Sequence, residues 1–317
     1  MYKINYKAIE ENLKKISTND YIVLKSNAYG FGFKEILEIA IKSDFFKFAV
    51  IDLEDAIYIR NRYPHSRVLL LGIIDKHNFL NYEKYQIEVS INDIDELYEL
   101  NNYKVYVQLA INTGMNRFGI EPKDVKRCLS VIEEVNLRLT GVYSHNATSN
   151  NDFINNQLDA FYYAVKDLNG IDIHFAASSL IDGKVHYQNC RRVGDILYHG
   201  ALLISGRILK VNYIHKGEYI GYDYSYQMKK NCYVGIIDIG YADGLERNCN
   251  GFSVYINNKF YYLIGKACMN SCFVLLNDEK VNVGSEVFFI SCYNNILNYQ
   301  QFFGKISHEI YLSFLKK

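Results

Sequence analysis

The chain has 317 residues, 35 basic side chains balanced by 35 acidic ones, seven cysteines and 29 tyrosines without a tryptophan. With no basic excess and no lysine-arginine face, neither nucleic acid nor a membrane surface is recommended as a partner, and a small-molecule substrate fits better. An odd number of cysteines without C-x-x-C spacing fits reduced thiols, Met1-Tyr2-Lys3-Ile4-Asn5 lacks the plan of a signal peptide, and no apolar run approaches a membrane helix, so a cytoplasmic protein is expected.

A chain of this length exceeds what one hydrophobic core organises, which predicts a large domain and a smaller one. The first two-thirds alternates short apolar runs with amphipathic helical stretches. The runs cover 21–25, 48–52, 68–73, 87–92, 105–112, 139–145, 171–176 and 195–200, and helices are expected between them, as over 54–62 and 93–101. Eight such units predict a TIM-type (β/α)8 barrel over residues 1–206, although a doubly wound sheet would share most of this pattern. From residue 207 the texture turns to β, with runs at 208–215, 219–227, 232–239, 252–256, 260–265, 273–276 and 287–291, which predicts a C-terminal all-β domain over 207–317.

The first run carries the most chemistry. Tyr21-Ile22-Val23-Leu24 leads straight into Lys25 and then into a glycine-punctuated turn, Ser26-Asn27-Ala28-Tyr29-Gly30-Phe31-Gly32. A lysine at the C-terminal end of a buried strand stands where α/β folds build their sites, and burial lowers its pKa toward that of a nucleophile or base. Alone, it reads as well as a strand-end lysine reaching for water.

Residues 25–32 resemble the pyridoxal-phosphate motif of the alanine racemases. Further matches follow in that family's order: Thr113-Gly114-Met115-Asn116-Arg117-Phe118-Gly119, Ser144-His145-Asn146-Ala147-Thr148, Arg192-Val193-Gly194 with Tyr198, Tyr222 in a Gly-Tyr-Asp-Tyr-Ser-Tyr run, Gly240-Tyr241-Ala242-Asp243-Gly244, and Gly265-Lys266-Ala267-Cys268-Met269-Asn270. Taken singly, Tyr222 is one tyrosine among 29, His145 reads as a satisfied core histidine and Arg192 as a surface arginine beside Arg191. The order of the motifs is what selects them.

The resemblance implies a racemase that interconverts L- and D-alanine with pyridoxal 5'-phosphate as cofactor and works as a homodimer with shared active sites. Lys25 would carry the cofactor and serve as base on one face of the substrate α-carbon. Tyr222, reached across the dimer interface, would serve the other face, with His145 in contact with it. Arg192 would face the pyridine nitrogen. The backbone amides of Gly194 and Asp195 and the hydroxyls of Ser178 and Tyr29 would hold the phosphate. Arg117 and the Met269 amide would hold the substrate carboxylate, and Tyr241 would stand at the entrance. No metal is implied.

The chain departs from the family at several of these places. Ala110 stands where a carboxylated lysine is common, Asn112 replaces an aspartate, Asn150 and Asn270 replace acids, and Ala177-Ser178 replaces Asn-Ser. Arg117 therefore loses its usual anionic support. Family members also carry a further tyrosine in a segment beyond Glu309, a position where this chain shows lysines, so a wall of the substrate pocket is expected to be missing. That keeps serine or a larger amino acid in view as substrate. A silent relative that only binds the cofactor, a decarboxylase on the same plan and a single-domain cofactor carrier are the competing readings. The decarboxylase lacks its glycine-rich loop and cysteine-aspartate pair here, and the carrier lacks the β domain and Tyr222.

Overall fold

The computed structural model describes residues 1–148, 150–175, 185, 187–279, 281–292 and 295–315. They form two compact units, one of residues 12–28 and 32–197, the other of residues 1–11, 29–31 and 198–317.

The first unit is a nearly closed barrel of eight parallel strands: Tyr21–Val23, Lys47–Val50, Arg67–Leu70, Glu88–Ile91, Tyr106–Ala110, Arg138–Tyr143, Asp172–His174 and Arg192–Val193. Each pairs with the next, up to Asp172–His174, and Arg192–Val193 pairs back onto Tyr21–Val23 with Ile22 opposite Val193. Most strand residues are buried, as expected of a parallel sheet covered on both faces. Helices such as Leu53–Arg62 and Ile94–Glu99 fill the connections, the latter opened by a capping box in which Asp93 and Glu96 satisfy each other's backbone N–H groups.

Seven of the eight predicted runs coincide with barrel strands. The eighth does not: 195–200 begins with the 3-10 turn Asp195–Tyr198, closed by Leu197 N–H donating to the Gly194 carbonyl, and the strand is the preceding Arg192–Val193. Its apolar residues Leu197 and Tyr198 are buried by the turn and not by a ladder. A two-residue strand that begins with an arginine leaves no apolar run to read. Asn189 bridges the seam between the last two strands: its backbone N–H donates to the Ile173 carbonyl, and its side chain accepts from Ile173 N–H and donates to the Ile171 carbonyl at 2.7 Å.

The second unit holds a seven-stranded antiparallel sheet in the order Tyr2–Ile4, Leu202–Ile214, Cys232–Ile237, Cys272–Asn277, Lys259–Ile264, Ser253–Ile256, Glu286–Ile290. Leu202–Ile214 also pairs with Glu286–Ile290, through two register irregularities that bend this long strand. The N-terminal strand thus belongs to the sheet of the C-terminal unit. The predicted run 219–227 splits into Tyr219–Ile220 and Tyr226–Gln227 around the 3-10 turn Tyr222–Tyr224. The β sheet is followed by two helices that the sequence reading omitted, Ile296–Phe303 and Ser307–Leu315. Their signals were present in Asn295, whose side chain caps the first helix by accepting from Asn298 N–H, and in Gly304, which ends it in a left-handed conformation. All seven cysteines are free, and among the described residues no helix is long and apolar enough to cross a membrane.

The last helix leaves no room at Gly244, where φ is +107° and a Cβ would lie 2.5 Å from the Ser313 carbonyl oxygen. Gly244→Ala is therefore expected to cost about 1–3 kcal/mol in urea unfolding, through both the disfavoured backbone and the overpacking. An unchanged midpoint would show that the helix docks elsewhere.

Candidate active site

Lys25 follows the barrel's first strand and starts a turn of the wrong hand. Ser26, Asn27, Ala28 and Tyr29 all have φ between 52° and 57°. Such a conformation costs an L-residue about 1–2 kcal/mol each, so it persists only where the surroundings enforce it. Ala28 N–H donates to the Leu24 carbonyl at 3.0 Å, Gly32 N–H to the Asn27 carbonyl at 3.1 Å, and the Asn27 side chain accepts from Phe33 N–H at 2.8 Å. From the sequence the glycines appeared to set the turn. Asn27 was the one non-glycine residue there with a known tolerance for this conformation.

The residues that leave the neighbouring strand, Gly194 and Asp195, emerge beside Lys25 because the two strands are paired in parallel. Arg192 is buried in that strand. One of its terminal nitrogens donates to His174 Nδ1 at 2.7 Å and to the His174 carbonyl at 3.2 Å. The other donates to the Ser144 carbonyl and lies 3.3 Å from His145 Nδ1. Its guanidinium also sits over the Tyr143 ring. Arginine has no acceptor, so both imidazoles receive at Nδ1 and carry their proton on Nε2. The His174 Nε2–H then donates to Gln108 Oε1 at 2.8 Å.

These contacts set the charge states. Burial, then Arg192, Arg117 and Lys25, pull His145 down to about 3, and burial with Arg192 holds His174 well below its usual range, so both are neutral near pH 7. Burial, Arg117 and Arg192 likewise lower Lys25, which enriches the free amine.

Arg117 lies exposed in the loop between Asn112 and Ile120. Asn112 organises this loop, accepting from Gly114 and Asn116 N–H groups and donating to Glu121 Oε1 at 2.8 Å, a bond the family's aspartate could not make. Among the described residues Arg117 has no ion-pair partner, and the buried Ala110 offers it no charge. Below the loop, Gln157 holds the Thr113 hydroxyl and the Ala147 N–H, which ties the second and third motifs together. Ser178 and Ala177 lie outside the described residues, and Asn150 starts the helix Asn151–Val165, where it accepts from Ile154 N–H.

Tyr29 belongs to the other unit, where its ring stacks on His308 at 4.8 Å and meets Tyr198 at 5.4 Å. The helix Ser307–Leu315 brings His308 against Tyr29, the residue assigned to the phosphate. Tyr222 and Tyr241 open short 3-10 turns and stand 62% and 43% exposed, with Met269 at 56%. Gly240 lets the second turn lie on the 268–269 segment, with Tyr241 N–H and Ala242 N–H donating to the Cys268 and Met269 carbonyls. A Cβ there would fall 2.2 Å from the Met269 oxygen. Asp223 pairs with Lys266 at 2.9 Å, and Ser225 accepts from Lys266 N–H, so the Tyr222 turn is tied to the same segment. One face therefore displays Tyr222, Tyr241 and Met269. Sequence reasoning missed His174, His308 and Gln108; each stands alone in its segment, without a motif.

Family models of the alanine racemase N-terminal domain and C-terminal domain match residues 3–201 and 201–317. The chain belongs to the alanine racemase family. Alanine racemases of Helicobacter pylori (strain HPAG1) and Borreliella burgdorferi (strain ZS7) are similar to it at 28% and 29% identity, over 89% and 91% of this chain and 85% and 87% of theirs. The fold is shared with the biosynthetic alanine racemase of Pseudomonas aeruginosa (TM-score 0.89, 22% identity) and the alanine racemase of Bartonella henselae with covalently bound pyridoxal phosphate (TM-score 0.89, 23% identity), each over 99% of this chain and 96% of the other. It is shared also with a histidine racemase from Leuconostoc mesenteroides (TM-score 0.81, 20% identity, 99% and 95%).

A histidine held neutral in the native state takes up its proton on unfolding below its ordinary pKa of 6.5, so His145 contributes stability above that pH that is lost as pH falls toward about 3, and His174, also held well below its ordinary range, acts in the same direction. The gap in urea midpoint between wild type and His145→Gln should accordingly shrink as pH is lowered through this window. A gap constant with pH would mean that His145 titrates normally.

Proposed function

We propose that this protein is a pyridoxal-phosphate-dependent racemase that interconverts L- and D-alanine by a two-base mechanism. The observation that carries the reading is the half-buried Lys25 amine at a strand end, its pKa lowered by burial and by Arg117 and Arg192, in a chain matched along its length by the alanine racemase family models. These residues fit the cofactor: a deprotonated amine suits a carbonyl, and cations beside it suit a phosphate and a carboxylate.

When bound, pyridoxal phosphate supplies an electron sink that stabilises negative charge on the substrate α-carbon. Lys25 would hold it and move a proton at one face. Tyr222 of the partner subunit moves a proton at the opposite face, and the neutral His145 offers its Nε2–H to the Tyr222 oxygen. Arg192, fixed by two imidazoles and two carbonyls, would face the pyridine nitrogen as a donor without an easily lost proton. Gly194 and Asp195 amides with the Ser178 and Tyr29 hydroxyls would receive the phosphate. Arg117 and the Met269 amide orient the substrate carboxylate, and Tyr241 guards the entrance.

In this division residues 1–206 carry the cofactor and 207–317 supply the opposing base. The exposed face with Tyr222, Tyr224, Tyr241 and Met269 is apolar enough to seek a partner, which supports a homodimer with shared sites. Seven free thiols support a cytoplasmic location.

The test is incubation of the purified protein and its Tyr222→Phe variant with single enantiomers of alanine, serine and histidine, read by chiral chromatography and by exchange of the α-hydrogen in deuterated water. Wild type should produce the opposite alanine enantiomer. The variant should lose roughly 100-fold in racemisation and retain exchange for one enantiomer only, the D form by analogy with the family. Turnover of serine or histidine in preference to alanine would reassign the substrate, and equal exchange of both enantiomers by the variant would make Tyr222 a packing residue.

A further inference from the structure

A cavity of about 630 Å³ opens at the end of the barrel away from Lys25. Its strand-borne lining comes from strand starts: Arg67, Glu88, Tyr106, Arg138 and Asp172 are each the first residue of their strand. Both acids are fully engaged. Glu88 accepts from Arg67, Gln108 and Thr140, and Asp172 from Arg67, Lys47 and Tyr21. The donors are not. Arg60 spends its guanidinium on the carbonyls of Tyr85, Pro64 and Ser66 and on Gln86, so no carboxylate neutralises it. Arg138 is exposed and touches only the Tyr106 ring among the described residues. Ser66 is wholly buried, and its hydroxyl has no hydrogen-bond partner.

A buried hydroxyl left unmatched and the uncommitted fork of Arg138, with the Arg60 charge beside them, make a receptor for an anion. We propose that this cavity binds a small carboxylate, gripped by the Arg138 fork and the Ser66 hydroxyl, and that its occupation is felt at Arg192. Carboxylate is favoured over phosphate because Arg138 offers a planar fork and the remaining donor is a single hydroxyl. The coupling follows the hydrogen bonds. Glu88 accepts from Gln108 at 2.5 Å, Gln108 accepts from His174, and His174 accepts from Arg192. An anion drawing Arg67 away from Glu88 strengthens the pull of Glu88 on Gln108, and the shift passes through one histidine to the guanidinium of the active site. That second half rests on the proposed racemase reading; binding itself does not.

The experiment is calorimetric titration of the cofactor-loaded full chain with succinate, in the presence of saturating DL-alanine to occupy the active site, alongside alanine racemisation with and without succinate. The account expects one succinate per chain, binding weakened about tenfold or more in Arg138→Leu, where a charge-assisted contact is lost, and weakened also in Ser66→Ala. It expects a change in racemisation rate on adding succinate that Arg138→Leu abolishes, while the basal rate of that exposed variant is unchanged. No heat under saturating alanine, or heat that Arg138→Leu leaves untouched, overturns the site. Tighter binding of inorganic phosphate in the same titration overturns the carboxylate assignment. Binding with an unchanged rate overturns the coupling, and absence of all racemisation with binding intact sinks the racemase reading alone.

Discussion

A buried guanidinium held by neutral partners is the constraint on which the site depends. Arg192 is locked by the imidazoles of His174 and His145 and by carbonyls of the adjacent strands, and it keeps a full charge next to Lys25. Neutral imidazoles soften the burial without cancelling the charge. A carboxylate in their place would have bound Arg192 more tightly and left Lys25 a strongly basic, protonated amine. The fixed positive charge thus keeps His145 a neutral donor, keeps part of Lys25 unprotonated and draws anions to the mouth of the barrel. His174 is itself held between the rings of Tyr21 and Tyr143, so the clamp is continuous with the packing of the barrel interior.

The left-handed turn after Leu24 is the second constraint, and its energetics explain the burial around it. Four residues at about 1–2 kcal/mol each would consume a large part of a stability of about 5–15 kcal/mol. Ala28, Tyr29 and Phe31 are buried, and Phe31 stacks on Tyr198 at 4.3 Å while meeting Tyr311 at 5.0 Å. Burial of two aromatic rings offsets most of that strain. Gly30, at φ +91° with a hypothetical Cβ 2.7 Å from Leu315, lets the final helix close over the segment.

Periodicity located the barrel well because strands covered on both faces become plain apolar runs, and seven were found that way. The eighth escaped since Arg192 has its charge matched by side chains from distant strands, which no local pattern reveals. Lys25, His145, Arg117, Arg192, Tyr222 and Met269 were legible through motifs. His174, Gln108 and His308 were not, because their roles arise from residues brought together over long sequence distances. The loss of acids at Ala110 and Asn112 was legible, but its structural outcome was not: Asn112 turns inward to cap its loop, and Arg117 is left to act on Lys25 as an uncompensated charge.

The central claim is that burial, with Arg117 and Arg192, tunes the amine of Lys25, and direct titration of that amine tests it. In the cofactor-free protein the pH dependence of Lys25 reductive methylation, followed by peptide mass spectrometry, should give a pKa below the ordinary 10.5. Arg117→Leu, a change at an exposed position, should move it back upward without unfolding the protein. A Lys25 that titrates at its ordinary value in both proteins would contradict the account.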